Sequence, residues 1–276
     1  MTPVVAVVDA AWRQARLAEA LWAASDEAGF DLQLRTQRQL AAEVSIDQSS
    51  AHEPIVDPDR PLLWLSPGDS APAATRDDRF LGSEAYAAAR SIALLTRAPV
   101  LNRPSGHSAC GTFPPSAVLA VRQARHHDRG AVIRDERFIG NWLAEDGEET
   151  SGLEVHDYAT GRSSFGRAAT ASGPFRRRAA VGGAEPVKVI VVGHRTLITA
   201  DVDPAVLAAS GDIARGYSLD LASVWWLIDE DGARRTLARI DCWPFDGGLG
   251  PDVDQVAVAL LAWIEERLRV SAAAIR

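Results

Sequence analysis

An apolar, β-branched run at 187–192 constrains the fold more than any other feature of the sequence. A short continuous run of this kind is typical of a buried strand. His194 and Arg195 form the predicted turn, and the residues at 197–200 form the returning strand of a hairpin. The first strand also carries Lys188, the one lysine among the 29 basic residues of the chain. That lysine is therefore conspicuous.

Two further strands and a helix complete the C-terminal part of the chain. The segments 224–228 and 236–241 are predicted to be antiparallel partners, because an Asp-Gly pair in their connection favours a hairpin turn. The last helix, at 253–268, has an apolar face. The residues on that face are Val256, Leu260, Leu261, Ile264 and Leu268. Together these elements predict an α+β lobe at 186–276.

The N-terminal part of the chain alternates strands and helices. Apolar strands are expected at 4–9, 30–34 and 62–65, and a helix between the first two is expected to end at Gly29. Continuous apolar strands joined through helices imply a parallel sheet that is covered on both faces. The sequence therefore predicts an N-terminal α/β lobe.

A second long helix is expected in this lobe at about 79–95. Its predicted inward face comprises Phe80, Ala87, Ile92 and Leu95. The segment 98–104 then returns as a strand or an extended stretch, since its two prolines restrict the backbone. The α/β lobe is therefore expected to span 1–105.

The signal is weaker in the middle of the chain, at 106–185. A helix is expected at 116–127 and a strand at 131–134, whereas 147–173 is a polar segment with several Gly, Ser and Thr residues. We therefore expect a short central lobe with mobile loops.

The charge balance limits the classes of partner. A formal net charge of -8 argues against non-specific binding of nucleic acids or anionic membranes, because both depend on a cationic surface. A small-molecule or peptide substrate fits this surface better. The tryptophans would also suit an interface, so a homodimer or a partner enzyme is a further expectation.

Targeting signals and cysteine chemistry are both sparse in this sequence. No apolar run approaches the roughly 20 residues that cross a bilayer, and Met1-Thr2-Pro3 leads into a strand without a basic n-region. A cytoplasmic location is expected.

Cys110 and Cys242 are too few for a disulfide framework or a structural zinc site, so they are interpreted as buried or incidental thiols.

Three short motifs resemble the ATP-grasp superfamily. Residues 188–193 correspond to the strand written R-x-x-V-x-G, residues 221–225 to L-x-x-x-D, and residues 239–244 to E-V-N-x-x-P, with several of the motif positions replaced. In the N-terminal half, Phe80-Leu81-Gly82-Ser83-Glu84 and the segment 99–104 resemble the first lobe of ligases that modify ribosomal peptides or build natural products. The resemblance implies a reduced ATP-grasp-like architecture, in which an N-terminal α/β lobe precedes two α+β lobes that hold ATP between them.

The resemblance also implies a set of site residues. Lys188 takes the position of the phosphate-binding arginine, and the cofactor-binding residues implied with it are Arg195, Arg178 and Arg239. ATP and Mg²⁺ are the implied cofactors, with Asp241 as the metal ligand and Asp220 or Asp246 as substitutes if the register differs. Arg239 and Trp225 stand where the family has metal-binding acids. An indole offers no oxygen ligand, and a guanidinium repels Mg²⁺.

Two functions follow from this resemblance. The first is a ligase that activates a carboxylate as an acyl phosphate and passes it to an amine or a hydroxyl in peptide or natural-product biosynthesis. The alternative is a pseudo-ligase that has lost metal and ATP chemistry and binds a peptide, a partner enzyme or another small ligand. A third possibility is a different reaction in the same cleft, with Asp241 or a histidine as acid or base. No residue is assigned a catalytic role.

Overall fold

The computed structural model describes the chain at 2–8, 16–47, 53–65, 75–106, 108, 110–112, 136–139, 153–157, 162–165, 175–179, 185–198, 202–228, 235–242 and 253–274. The chain divides into two compact units. The first unit comprises Met1–Phe113, Lys188–Val224 and Ile240–Arg276, and the second comprises Pro114–Val187 and Trp225–Arg239. The predicted three-lobe division at 1–105, 106–185 and 186–276 stays a prediction.

The strands are β1 (Thr2–Val7), β2 (Phe30–Arg35), β3 (Ser45–Asp47), β4 (Ile55–Asp57), β5 (Leu62–Trp64), β6 (Glu136–Ile139), β7 (Leu153–Asp157), β8 (Arg162–Phe165), β9 (Phe175–Ala179), β10 (Glu185–Val192), β11 (Arg195–Ile198), β12 (Leu221–Ile228) and β13 (Arg235–Asp241). The helices are α1 (Arg16–Ala28), α2 (Gln37–Glu43), α3 (Arg76–Leu95), α4 (Pro204–Gly216) and α5 (Val253–Ala274).

The predicted parallel sheet is confirmed in the first unit. Its strand order is β2-β1-β5, and β1 runs parallel to both neighbours. Because side chains alternate along a strand, β1 contributes to two cores. Val4 packs in a cluster with residues of α1 and α5, whereas Val5 packs in a second cluster with Leu40 of α2 and Ile92 of α3. Helices therefore cover both faces, as the apolar run of β1 predicts.

Helix α3 differs from its prediction in both its start and its buried face. It begins at Arg76, because Thr75 forms a capping box with Asp78: Thr75 Oγ1 accepts from the Asp78 backbone N–H at 3.0 Å. Of the predicted inward residues Ile92 is buried, whereas Phe80 is 64% exposed and Leu95 is 38% exposed. Ala87 is exposed as well, so the predicted face is wrong at three of its four positions, and the buried residues of α3 lie between positions 89 and 93.

Arg103 closes the C-terminal end of α3. Its Nη1 donates to the carbonyl oxygens of Ala93 at 3.0 Å and Thr96 at 2.7 Å. A cation at this end of a helix is favourable, because the last carbonyl groups carry partial negative charge. Burial lowers the pKa of the Arg103 guanidinium from its ordinary value, and the charges of Asp59 and Asp220 act in the opposite direction. The guanidinium thus ties the segment after α3 to the end of that helix.

The predicted C-terminal sheet is also confirmed. Its strand order is β11-β10-β12-β13, and β10 and β11 form the predicted antiparallel hairpin. The turn lies at Gly193 and His194, so the prediction of Arg195 in the turn is wrong: Arg195 is the first residue of β11. Four of the predicted inward residues of α5 are buried, and Leu268 is partly buried against the same core. The four are Val256, Leu260, Leu261 and Ile264. Neither α5 nor any other helix in the described ranges is long and apolar enough to cross a membrane.

The second unit contains a four-stranded sheet where loops were expected. The order is β6-β9-β7-β8, and β6 with β9, β7 with β9, and β7 with β8 are antiparallel pairs. Strands β7 and β8 lie within 147–173, so the expectation of loops throughout that segment is wrong. Its strands are short and polar, which weakens the signal of alternation. The predicted helix at 116–127 and strand at 131–134 lie outside the described residues.

Candidate functional site

Lys188 and Arg195 lie on one face of the β10–β11 hairpin. Arg195 is opposite Val192, which follows Lys188 by four residues along β10. Residues separated by an even number share a face of a strand, and four residues span roughly 13 Å. Arg195 Nη1 lies 3.5 Å from the carbonyl oxygen of Ala259 in α5. The two predicted phosphate-binding cations therefore share the face on which α5 packs.

Arg178 and Arg239 belong to the second unit. Arg178 lies in β9, where the register places it opposite Glu136 of β6 and Glu154 of β7. Arg239 lies in β13. Their predicted roles in cofactor binding stay predictions.

The three motif positions implied for the metal carry one carboxylate between them, that of Asp241. Trp225 lies in β12, and Arg239 and Asp241 lie in β13, which neighbours β12. Mg²⁺ requires oxygen ligands in near-octahedral geometry, and only Asp241 offers a carboxylate. Across the ranges that the structure describes, no three His, Cys, Asp or Glu side chains are grouped to hold a metal ion. Asp246 lies outside those ranges.

Asp220 is engaged in a contact with α5. Its Oδ1 accepts a hydrogen bond from Trp263 Nε1 at 3.1 Å and one from Arg267 Nη2 at 2.9 Å. The Arg267 guanidinium also lies 5.6 Å from the centre of the Trp263 ring, within the range of a cation–π interaction. The carboxylate is therefore already used to join the start of β12 to α5, which argues against the predicted use of Asp220 as a substitute metal ligand.

Gly193 brings the hairpin turn against the same tryptophan. Its φ is 60°, and an added Cβ would lie 2.7 Å from Trp263 Cδ1. The Gly193 backbone N–H donates to the carbonyl oxygen of Asp220 at 2.6 Å. A side chain here would meet both steric overlap and an unfavourable backbone conformation. Asp220, Trp263 and Gly193 thus fix the turn that follows the strand of Lys188.

We expect Asp220→Ala to destabilise the protein more than Asp220→Asn. Alanine leaves Trp263 Nε1 without an acceptor, and a buried unpaired donor costs about 1–2 kcal/mol. Asparagine keeps an acceptor and loses the partly exposed ion pair with Arg267, which is worth about 0.5 kcal/mol, together with the attraction of the carboxylate for Arg103. Urea unfolding of both variants measures the difference. Equal losses in the two variants would contradict a structural role for the Trp263 hydrogen bond.

Asn102 is the residue whose importance the sequence did not indicate. The side chain is fully buried, and its Nδ2 donates to the carbonyl oxygens of Leu221 at 2.8 Å and Cys242 at 3.1 Å. Its Oδ1 accepts from the backbone N–H groups of Asp220 at 2.7 Å and Leu221 at 2.8 Å. Two donors and two acceptor positions are all that an amide side chain offers. Asn102 therefore joins the end of the α/β part to β12 and to the residue after β13.

The segment that follows Asn102 reinforces this connection. Gly111 N–H donates to the Asn102 carbonyl oxygen at 3.2 Å, and Thr112 N–H donates to the Tyr217 carbonyl oxygen at 2.9 Å. Cys110 Sγ lies 3.5 Å from the Cys242 carbonyl oxygen, and both thiols are buried, as predicted, and are not joined in a disulfide bond. Asn102 has a φ of 49°, a conformation in which asparagine is enriched, but this conformation is visible only in the structure.

Solved structures similar to this chain are peptide-modifying enzymes. The macrocyclase MdnC of Microcystis aeruginosa, bound with precursor peptide MdnA, has a TM-score of 0.64 and 13% identity, covering 96% of this chain and 100% of its own. The ATP-grasp ligase PsnB with a minimal precursor, Mg and ADP has a TM-score of 0.60 and 14% identity, covering 95% and 97%. A RiPP-associated ATP-grasp ligase of Chryseobacterium gregarium with ADP and a leader and core peptide has a TM-score of 0.58 and 7% identity, covering 96% and 97%.

These similarities define the class of fold. The matches extend over 95–96% of this chain, so the likeness is not confined to one lobe. At the level of sequence, neither a protein-family model nor a curated protein matches the chain. The chain has the ATP-grasp fold, which confirms the predicted α/β plus α+β architecture and the resemblance at the level of structure.

Proposed function

We propose that this protein is a peptide-modifying ligase that activates a carboxylate as an acyl phosphate. The acyl group then passes to an amine or a hydroxyl, and phosphate is released. The observation that carries the proposal is the likeness of nearly the whole chain to ligases solved with precursor peptides and with ADP. A fold alone does not define a reaction, so the proposal also depends on the cations of the β10–β11 hairpin. The substrate is a peptide, and the protein acts in the cytoplasm, alone or as a homodimer.

The proposed division of roles follows the motif positions. Lys188 neutralises phosphate charge, with Arg195, Arg178 and Arg239 as further cations, because fixed positive groups stabilise the charge of a transferring phosphoryl group. Asp241 is the one motif position with a carboxylate for Mg²⁺. The chain residues thus supply charge and orientation, and the nucleotide supplies the phosphoryl group.

A pseudo-ligase is the second candidate, and Trp225 and Arg239 favour it. Both occupy motif positions where a metal-binding ligase has acids, and neither side chain coordinates Mg²⁺. In this case the scaffold binds a peptide, a partner enzyme or another small ligand without turnover.

Calorimetric titration with a non-hydrolysable ATP analogue, with and without magnesium, tests the first proposal. We expect magnesium-dependent binding that Lys188→Met weakens about ten-fold, since a hydrogen bond to a charged group is worth about 1.5 kcal/mol. Arg269→Gln is the matched control, because its guanidinium is exposed on α5 and pairs with Glu265. Affinity that Lys188→Met leaves unchanged removes that residue from the site.

A second titration separates the two candidates. Absence of nucleotide binding at about 5 mM, a concentration well above the dissociation constants of working sites, would overturn the ligase proposal. The double variant Trp225→Asp, Arg239→Glu restores both acids. Magnesium-dependent binding by a folded double variant but not by the natural chain supports the pseudo-ligase.

A further inference from the structure

A cavity of about 450 Å³ lies on the α2 and α3 side of the parallel sheet in the first unit. Its floor is a row of three residues in register across the strands, namely Gln33 of β2, Val5 of β1 and Leu62 of β5. Apolar walls come from α2, β4 and α3 through Leu40, Val56 and Ile92. Cavities of about 300–1,000 Å³ with apolar walls and a few polar groups are typical of small-molecule sites. No residue of the candidate ligase site lines this cavity.

The charged groups of the cavity leave one net positive charge. Arg35 Nε donates to both carboxylate oxygens of Glu43, at 2.7 and 2.8 Å, so these two charges neutralise each other. Arg60 Nη1 donates to Gln33 Oε1 at 3.1 Å, and Arg35 Nη2 donates to the same oxygen at 3.3 Å. Within the described part of the chain, Arg60 forms no ion pair. The guanidinium of Arg60 is therefore oriented by Gln33 and retains donors for an anion.

Groups that would repel an anion lie at the end of the cavity or outside its lining. The carboxylates of Asp31 and Asp59 keep their negative charge, but neither of them lines the cavity. The C-terminal end of α3 reaches the cavity at Thr96, and a helix end of this kind carries partial negative charge. Arg103 donates to the Thr96 carbonyl oxygen at 2.7 Å and so compensates that end. Asp31 accepts from Gln33 Nε2 at 3.0 Å, and Asp59 accepts from the Ala98 backbone N–H at 3.2 Å. Arg60 is thus the charged lining group left for a ligand.

We propose that this cavity binds a monocarboxylate joined to a compact, branched apolar group. The carboxylate lies on Arg60, whose planar fork of donors matches a carboxylate in two parallel hydrogen bonds. The apolar group lies among Leu40, Val56 and Ile92. The same chemistry is found in a free branched aliphatic acid and in the C-terminal residue of a peptide that ends in leucine. This site is separate from the proposed ligase function and does not depend on it.

Two probes and their neutral counterparts test the site. The probes are 4-methylpentanoate for the free acid and N-acetyl-Leu-Leu for the peptide end, and the counterparts are the two primary amides. We expect saturable binding of at least one acid in calorimetry, and a loss of about ten-fold or more for its amide, because the charge-assisted hydrogen bonds are lost. Stronger binding of one acid identifies the source of the chemistry and supports the proposal.

Variants of Arg60 connect the binding to this cavity. Arg60→Gln should weaken the acid about ten-fold, and Arg60→Lys should give a smaller loss, since lysine keeps the charge without the planar fork. Arg97→Gln is the matched control, because its side chain is 72% exposed and pairs with Glu53 outside the cavity. Thermal unfolding confirms that each variant is folded. Failure of both acids to bind the natural chain at about 10 mM, equal binding of acid and amide, or an Arg60→Gln affinity equal to the natural one would overturn the proposal.

Discussion

Replacing Asn102 with glycine should lower the free energy of unfolding by about 3 kcal/mol, since each buried polar group left without a partner costs about 1–3 kcal/mol. The substitution removes four hydrogen bonds to backbone groups of Asp220, Leu221 and Cys242. Glycine tolerates the φ of 49° at this position, so the loss reports the hydrogen bonds rather than backbone strain. Urea unfolding followed by circular dichroism measures it.

Asn102→Ala is the companion variant. It loses the same hydrogen bonds, but unlike the glycine variant it has a Cβ at a residue in the left-handed region. This costs about 1 kcal/mol more than glycine. We therefore expect alanine to be the less stable of the two. A loss below about 1 kcal/mol for the glycine variant would contradict the role of Asn102 as the connection between these strands.

Gly111→Ala should also cost about 3 kcal/mol, because a left-handed conformation costs about 1–2 kcal/mol for a non-glycine residue and overpacking adds about 1–3 kcal/mol. The φ of Gly111 is 55°, and an added Cβ would lie 2.5 Å from the carbonyl oxygen of Ser218 and 2.6 Å from that of Tyr217. Both are backbone atoms, which move less readily than the end of a side chain. Thermal and urea unfolding measure the effect.

Gly106→Ala provides the control for Gly111 in the same segment. No atom lies within 4 Å of the Cβ that this substitution adds, and its backbone conformation needs no glycine. We expect a change within about 0.5 kcal/mol, as for most exposed substitutions. Similar stability of the two alanine variants would show that the segment moves away from Tyr217 at little cost.

The strands of the β2-β1-β5 and β11-β10-β12-β13 sheets were predictable because their signals are local. β1 and β10 are rich in valine and isoleucine, and α5 repeats its apolar residues at helical spacing. Such patterns follow from the geometry of the strand or helix itself, so they are visible before any tertiary contact forms. The second-unit sheet was missed because strands such as β8, with the sequence RSSF, carry almost no alternation.

The candidate site was predictable only as motif positions. The resemblance selected Lys188 and Asp241, and the structure places their strands, β10 and β13, in the same sheet. The side-chain contacts of the first unit were not predictable from motifs, because they join residues that lie far apart in the sequence. Asp220, considered as a substitute metal ligand, pairs with Trp263 and Arg267, which lie 43 and 47 residues further along the chain.

The sequence by itself determined the strands of the β2-β1-β5 and β11-β10-β12-β13 sheets, helices α1 and α5 and the class of fold, because periodicity and β-branching act over a few residues. The tertiary structure alone decided what Asn102 does, since its side-chain partners Leu221 and Cys242 are 119 and 140 residues away. It also decided that Gln33 orients Arg60, which lies 27 residues further along the chain. A hydrogen bond depends on the distance between atoms in space, and no local pattern encodes the approach of segments so far apart in the chain.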